Sequence, residues 1–313
     1  MNAERRWIGY AAVAVLAAVT LAFSGPFGQE LTGEIAIFAL FVLSIGFLGG
    51  IAGLVSFGHA LFYGVGGYAT AWLVVKAGWW PGAAMLAVVV LGIVLAAGVG
   101  FLVVNTRGTI FIMVTLALAM MFYAWVVKSP VFNGADGLAG VRRVDLSMVG
   151  WDSVGPAGFA SLAVALALAG WIGLDQIIRS PFGQALEAIR QNEARMRALG
   201  CPVFAYKLAA FTLSGTLATI AGSLSAQHTG LVSPEIAHWF VSGDGLIAAI
   251  IGGFHSMAGA VIGTILLLVA KHEMSNFTQH WFLFLGVFFI VLVLVAPEGV
   301  VGRLGALRVF AKR

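Results

Sequence analysis

The sequence is poor in charge and nearly without cysteine, and each shortage excludes a class of protein. Of its 313 residues only 10% are Asp, Glu, Lys or Arg, against 61% that are hydrophobic. An ordinary soluble domain carries roughly 25% charged residues, so too few polar side chains remain to cover a water-facing surface. The single cysteine, Cys201, excludes an intrachain disulfide framework and a multi-cysteine metal site. Basic residues are too sparse and scattered for nucleic-acid binding. A nucleotide-cradling Gly-x-x-x-x-Gly-Lys-Ser/Thr loop is missing, because the only Lys followed by Ser or Thr is Lys128, and Val127 precedes it. His272-Glu273 opens like a zinc-protease motif, but Asn276 stands where the second histidine must fall. No Gly-x-Ser-x-Gly elbow occurs either. The chain is therefore read as having no catalytic, cofactor-binding or metal-binding residues of its own.

What the sequence does have is apolar runs of the ~20 residues that span a bilayer core, recurring along its whole length. Its 41 glycines sit inside those runs, where small residues let helices approach closely. The expected fold is all-α, a polytopic integral membrane protein forming one transmembrane domain over 1–313. Ten spans are expected near 7–24, 35–54, 58–76, 80–104, 109–127, 157–178, 208–227, 238–253, 258–274 and 280–296. The stretch from Trp7 to Phe23 follows Arg5 and Arg6 but exceeds the ~7–15 residues of a signal-peptide core, so it is read as a retained first span. The eighth and ninth segments are short and leave open one long broken span joined at Gly252-Gly253-Phe254-His255.

Basic residues gather on the cytoplasmic side of membrane proteins. Ten spans with both termini inside place 12 of the 17 basic residues there, among them Arg107, Arg179, Arg190, Arg195, Arg197, Lys207 and the tail Arg303, Arg308, Lys312 and Arg313. Two polar segments stand out between the spans. Residues 128–156 face outward and read as a loop, broken by Pro130, Pro156 and several glycines. Residues 179–207 face inward, and Pro181 through Leu199 reads as one amphipathic surface helix ended by Gly200 and Pro202, with Leu186, Ile189, Met196 and Leu199 near one face. Such a helix needs something to lie against, a lipid surface or a partner's groove.

Glycines interrupt a membrane segment in each half: Gly49-Gly50-Ile51-Ala52-Gly53 running on through Gly67, and Gly243-Asp244-Gly245 running on through Gly263. Matching broken segments in two halves point to a substrate path; close helix packing accounts for the same glycines. Asp175 and Asp244 are the acidic residues within or at the edge of spans, and both are expected near the membrane interfaces.

The segment from Ser180-Pro181-Phe182-Gly183 through Ile189-Arg190-Gln191-Asn192-Glu193-Ala194-Arg195 to Gly200 closely resembles the coupling segment of permeases from branched-chain amino-acid ATP-binding-cassette importers. A second match, Gly53-Leu54-Val55-Ser56-Phe57-Gly58-His59 through Tyr68, resembles that family's stretch near its second and third spans, with Leu54 and Gly67 departing from it. Further matches run from Arg107-Gly108-Thr109 to Asn133-Gly134-Ala135-Asp136-Gly137-Leu138, and from Leu231-Val232-Ser233-Pro234 to Ala296-Pro297-Glu298-Gly299. Asn133 and Ala135 depart from the family's usual Thr-Gly-Gly, which removes any substrate inference from that loop.

The resemblance is best to the M-type (LivM-like) branch and implies a division of labour. A second, H-type permease would complete the pathway for a small-molecule substrate. Two ATPase subunits, which hold the ATP and magnesium, would dock on the coupling segments, and a periplasmic binding protein would deliver substrate across the bacterial inner membrane. It implies coupling roles for Arg190, Glu193, Ala194 and Gly200, and pathway roles for Ser56, Gly58 and His59. Members of this family also carry urea and amides. The alternative from another class is a self-contained secondary carrier or channel for a small polar solute, which predicts transport by this chain alone.

Overall fold

The computed structural model describes residues 3–277 apart from 107, 148–150 and 152, together with 283, 284, 286, 287, 289, 290 and 299. The expected tenth span falls mostly outside the described residues, and Arg107, Pro297 and the basic tail fall wholly outside them. The long helices are α1 (Ala3–Phe23), α2 (Pro26–Gly46), α4 (Pro81–Val103), α5 (Thr109–Lys128), α6 (Pro156–Arg179), α9 (Val203–Thr229) and α11 (Met257–Phe277). Shorter ones are α3 (His59–Ala71), α7 (Pro181–Gln191), α8 (Glu193–Ala198) and α10 (Trp239–Gly252). Single π-helical turns extend α2 through Phe47–Ile51 and α3 through Trp72–Lys76. Four helices begin at a proline, Pro26, Pro81, Pro156 and Pro181; there the ring's missing N–H costs nothing and its fixed φ suits a first turn.

Among the described residues, six helices are long and apolar enough to cross a membrane. Nine of the ten expected spans coincide with helices, but the structure does not make each of them a full crossing. The 14 residues of α10 reach only about 21 Å at 1.5 Å per residue, short of a ~30 Å hydrocarbon core. It is nevertheless separate from α11. A Cβ on Gly252 would fall on the Gly259 carbonyl and one on Gly263 on the Ala248 carbonyl, so α10 and α11 form an antiparallel hairpin rather than one broken span.

Helix α9 is the centre of the packing. A Cβ on Gly66 of α3 would strike the Thr219 carbonyl, and one on Gly222 of α9 would strike the Tyr63 carbonyl. These reciprocal approaches let the two backbones touch, and the Thr70 hydroxyl then donates to Ser223 Oγ at 2.7 Å. On α9's other side Gly92, Ala96 and Gly100 of α4 receive Thr219, Gly215 and Phe211. Without a hydrophobic drive between helices in lipid, such close contacts and hydrogen bonds hold the bundle.

Side-chain contacts sort the helix ends onto two faces. Tyr10 of α1 bonds Asp175 near the end of α6, which also pairs with Arg179; α7, α8 and the start of α9 lie on that same face. On the opposite face Arg143 of the 128–156 loop grips both carboxylate oxygens of Glu30 near the start of α2, at 2.8 and 2.9 Å, and the His228 carbonyl near the end of α9. Among its described residues the loop holds the 3₁₀ turns Pro130–Phe132 and Gly134–Asp136 and a two-residue strand β1 (Leu138–Ala139), antiparallel to β2 (Leu231–Val232). Trp79 and Trp80 lie exposed at this face, the placement of an interfacial aromatic belt.

The inward polar segment differs from expectation. Asn192 takes an extended backbone (φ −156°, ψ 92°) and splits the expected single helix into α7 and α8. Its side chain accepts the Arg195 N–H and so caps α8. The expected apolar face divides accordingly: Leu186 and Ile189 are buried, whereas Leu199 is 75% exposed.

Gly259→Leu is expected to lower the melting temperature of the detergent-purified protein, the overpacking costing about 1–3 kcal/mol. Gly98→Leu, on the open side of α4 where nothing stands within 4 Å, is expected to melt as wild type does. Equal melting of the two variants would mean that Gly259 serves no close contact.

Candidate functional site

Two half-helices start inside the bundle. Helix α3 follows the glycine-interrupted segment of the first half, whereas Gly243 and Gly245 do not interrupt the second half but lie within α10 (Trp239–Gly252), whose start is set by residues 230–238 before it. After the π turn that ends α2 at one face, residues 52–58 run without helix back into the bundle, and α3 begins at His59. After α9 ends at the opposite face, Gly230 turns the chain with φ 69°, and residues 231–238 descend to α10. The two starts meet. Ala60 N–H donates to Ser242 Oγ at 2.7 Å, and a Cβ on Gly64 would stand 2.7 Å from that of Ala237. His59 bonds Ser214, near the middle of α9, which fixes the meeting point at mid-depth.

Ser56, Gly58 and His59 come together here as the joint at the start of α3. Gly58 N–H donates to Ser56 Oγ at 3.0 Å. The Ser214 hydroxyl donates to the Ser44 carbonyl at 2.7 Å, so it accepts from His59 Nε2–H, 2.8 Å away. Of the N–H groups that a helix start leaves without intrahelical partners, Ala60 N–H is met by Ser242 and Leu61 N–H by the Gly58 carbonyl, while Ser56 meets the N–H of the cap residue Gly58, as a lipid-enclosed site demands. All three residues are buried, His59 to 1% exposure. Sequence reasoning missed Ser214 and Ser242, whose signal was a serine inside an otherwise apolar run.

At the face that carries α7 and α8 the two interrupted segments also touch. A Cβ on Gly49 would meet the Phe254 ring and one on Gly50 the Phe254 carbonyl, so the turn between α10 and α11 sits on the π turn of α2. Arg190 of α7 completes this contact, its Nη1 donating to the Gly50 carbonyl at 2.5 Å. Its side chain fills the space beside Gly53, where φ is +73° and a Cβ would stand 2.6 Å from Arg190 Cγ. Only glycine suits that position.

Glu193 at the start of α8 pairs with Arg197 at 2.6 Å and with Lys207 of α9 at 2.9 Å. Ala194 is exposed, and Gly200 is exposed with φ +82° and open space around it. The segment thus presents a free outer face, with Leu199 on it, while Arg190 and Glu193 grip α2 and α9.

The expected interfacial position holds for Asp175 but not for Asp244. Asp244 follows Ser242 by two residues, and its neighbour Gly245 packs against Phe41 and Ile45 within α2. That places Asp244 inside the bundle's depth, paired with Lys271 of α11 at 3.5 Å. The physical reason is the half-length of α10, whose start is at mid-depth rather than at a surface. Beside it Phe57, Trp239 and Phe240 cluster, with ring centroids 6.1 and 4.3 Å apart. Among the described residues no group of three or more His, Cys, Asp or Glu is placed to hold a metal ion.

A family model described as branched-chain amino acid transport system / permease component matches residues 29–296. The chain is similar to the high-affinity branched-chain amino acid transport system permease protein LivM of Escherichia coli (strain K12), at 28% identity over 91% of this chain and 73% of that protein. LivM of Salmonella typhimurium is similar at 26% identity over the same shares. LivH, the permease protein of that name from Escherichia coli (strain K12), is 24% identical over 85% of this chain and 91% of its own length. No solved structure matches the chain.

Ser214→Ala would leave His59 Nε2–H without its acceptor in a dry site. Leaving a buried donor unsatisfied costs roughly 1–3 kcal/mol, so the variant is expected to melt several degrees below wild type in detergent; an unchanged melting temperature would show that the joint does not depend on this bond.

Proposed function

The chain belongs to the family of branched-chain amino acid transport permease components, and from that premise we propose that it is one permease subunit of a bacterial inner-membrane ATP-driven importer for branched-chain or related hydrophobic amino acids. It crosses the membrane ten times with both termini in the cytoplasm, the arrangement that the basic residues favour. A second, H-type permease completes the pathway. Two ATPase subunits carry the ATP and magnesium, and a periplasmic binding protein delivers the amino acid. Similarity to both LivM and LivH supports a pair of related permeases.

The observation that carries this reading is the pair of links at the inner face. Arg190 joins α7 to the Gly50 carbonyl, and Glu193 joins α8 to Lys207. Through them a partner that moves the exposed side of α7 and α8 pulls on α2 and α9 together. Those two helices lead into the interrupted segments, so the pull reaches both half-helices at once. Arg190 and Glu193 transmit the motion. Ala194, small and exposed, lets a partner surface approach, and Gly200 supplies the left-handed turn by which the segment leaves α8. Ser56, Gly58 and His59 act on the pathway from behind, by holding the start of α3. Each ATPase state then favours one access state through its differential contacts.

Purification of the native complex is expected to recover a second permease and P-loop ATPases with this chain. In the reconstituted complex Glu193→Lys sets a third cation beside Lys207 and Arg197, so α8 parts from α9. Leucine uptake is expected to fall at least tenfold while the well-expressed complex still hydrolyses ATP. Normal uptake by that variant would contradict the coupling role, and solute transport by this chain alone without ATP would contradict the importer.

A further inference from the structure

The exposed side of α10 carries charge where a lipid-facing surface would not. Phe240, Asp244 and Ile247 succeed one another at helical spacing on one side of the helix, Phe240 being 62% exposed. The side chains of Asp244 and Lys271 are 38% and 40% exposed. Elsewhere the open sides of α4 and α5 are apolar, with Leu86, Val90, Val94, Ile110, Met113 and Met121. A half-open ion pair inside the bundle's depth is costly against hydrocarbon, and ionisable groups at such depth face water-filled paths or protein. This side of the chain is therefore turned away from lipid.

Its chemistry is that of a zwitterion's complement. One carboxylate and one ammonium stand 3.5 Å apart, a contact long enough to open. A free amino acid carries the same two charges, so its ammonium can replace Lys271 at Asp244 while its carboxylate replaces Asp244 at Lys271. One turn along α10, the stacked Trp239 and Phe240, with Phe57 beside them, supply an apolar surface. The Phe57 ring also reaches toward Gly243, where a Cβ would stand 3.9 Å from it, so aromatic wall and ion pair are contiguous.

We propose that Asp244 and Lys271 form a contact site for a zwitterionic solute with an apolar side chain, seated against Phe57, Trp239 and Phe240 on its way through the membrane. The proposal rests on the importer reading and deepens it. The pair replaces the water that the two charged ends of the solute lose on entering the bundle, and the aromatic wall takes the side chain without gripping it.

The test is uptake of labelled L-leucine by the whole complex in liposomes, with its binding protein and ATP. Asp244→Asn and Lys271→Gln are each expected to raise KM for leucine at least tenfold. The exchanged pair D244K/K271D is expected to recover the wild-type melting temperature but not the uptake, because the charges then meet the wrong ends of the solute. Recovery of uptake by the exchanged pair would make the ion pair structural and overturn the site. Should the single variants fail to assemble, Asp244→Glu and Lys271→Arg decide, with KM expected to rise several-fold and an unchanged KM overturning the site. No uptake by the wild-type complex would overturn the importer reading itself, whereas uptake that is alike in wild type and variants would overturn the site alone.

Discussion

A backbone group in a hydrocarbon layer must find its partner within the protein, and this chain breaks two helices inside its bundle. The hydrogen bond from Ala60 N–H to Ser242 Oγ is where that demand is met, because it joins the starts of both half-helices. Ser56 satisfies Gly58, and Ser214 ties His59 to the Ser44 carbonyl, so the joint rests on α2 and α9 as well. The glycines of α3 and α9 follow from the same demand. A short helix starting at mid-depth lacks the length to hold its own place, and the Gly66–Thr219 and Gly222–Tyr63 approaches hold it against a full-length neighbour.

The face that carries α7 and α8 repeats this economy of contacts. The π turn of α2 meets both the turn between α10 and α11, through Phe254, and α7, through Arg190. A connection of this kind is what the proposed coupling to a partner would use. The exposed side of α7 and α8, with Ala194 and Leu199, is where the proposed partner would act.

Much of this was legible in the sequence, and the reasons for the rest are physical. Apolar run length marked nine helices, because ~20 consecutive apolar residues are what a helix needs to span a bilayer core, although α2 starts at Pro26, nine residues before the expected 35. The interrupted segments showed themselves as glycines, yet glycine serves close packing and chain breaks alike, so the sequence left both readings open. Gly66 and Gly263 serve close packing, and Gly53 with its positive φ lies in the break after α2. Asp244 was misplaced because hydropathy reports how apolar a segment is and not where in the membrane it starts. The split at Asn192 was missed because a periodic apolar face does not reveal a cap that interrupts it. The contacts made by Gly50, Ser214 and Ser242 were not readable, since they depend on helices far apart in the chain.

The most direct test of the account is the thiol chemistry of α10 in the assembled transporter. In a Cys201→Ser background, a single cysteine replaces Phe240, and in a separate protein another replaces Val94 on the open side of α4. Each complex is exposed to a hydrophilic maleimide with and without ATP. If the half-helices meet at mid-depth and turn α10 toward a water-filled path, the cysteine at 240 reacts, its rate changes with ATP, and the cysteine at 94 stays inert. A cysteine at 240 as unreactive as that at 94 in both states would put α10 against lipid and contradict the account.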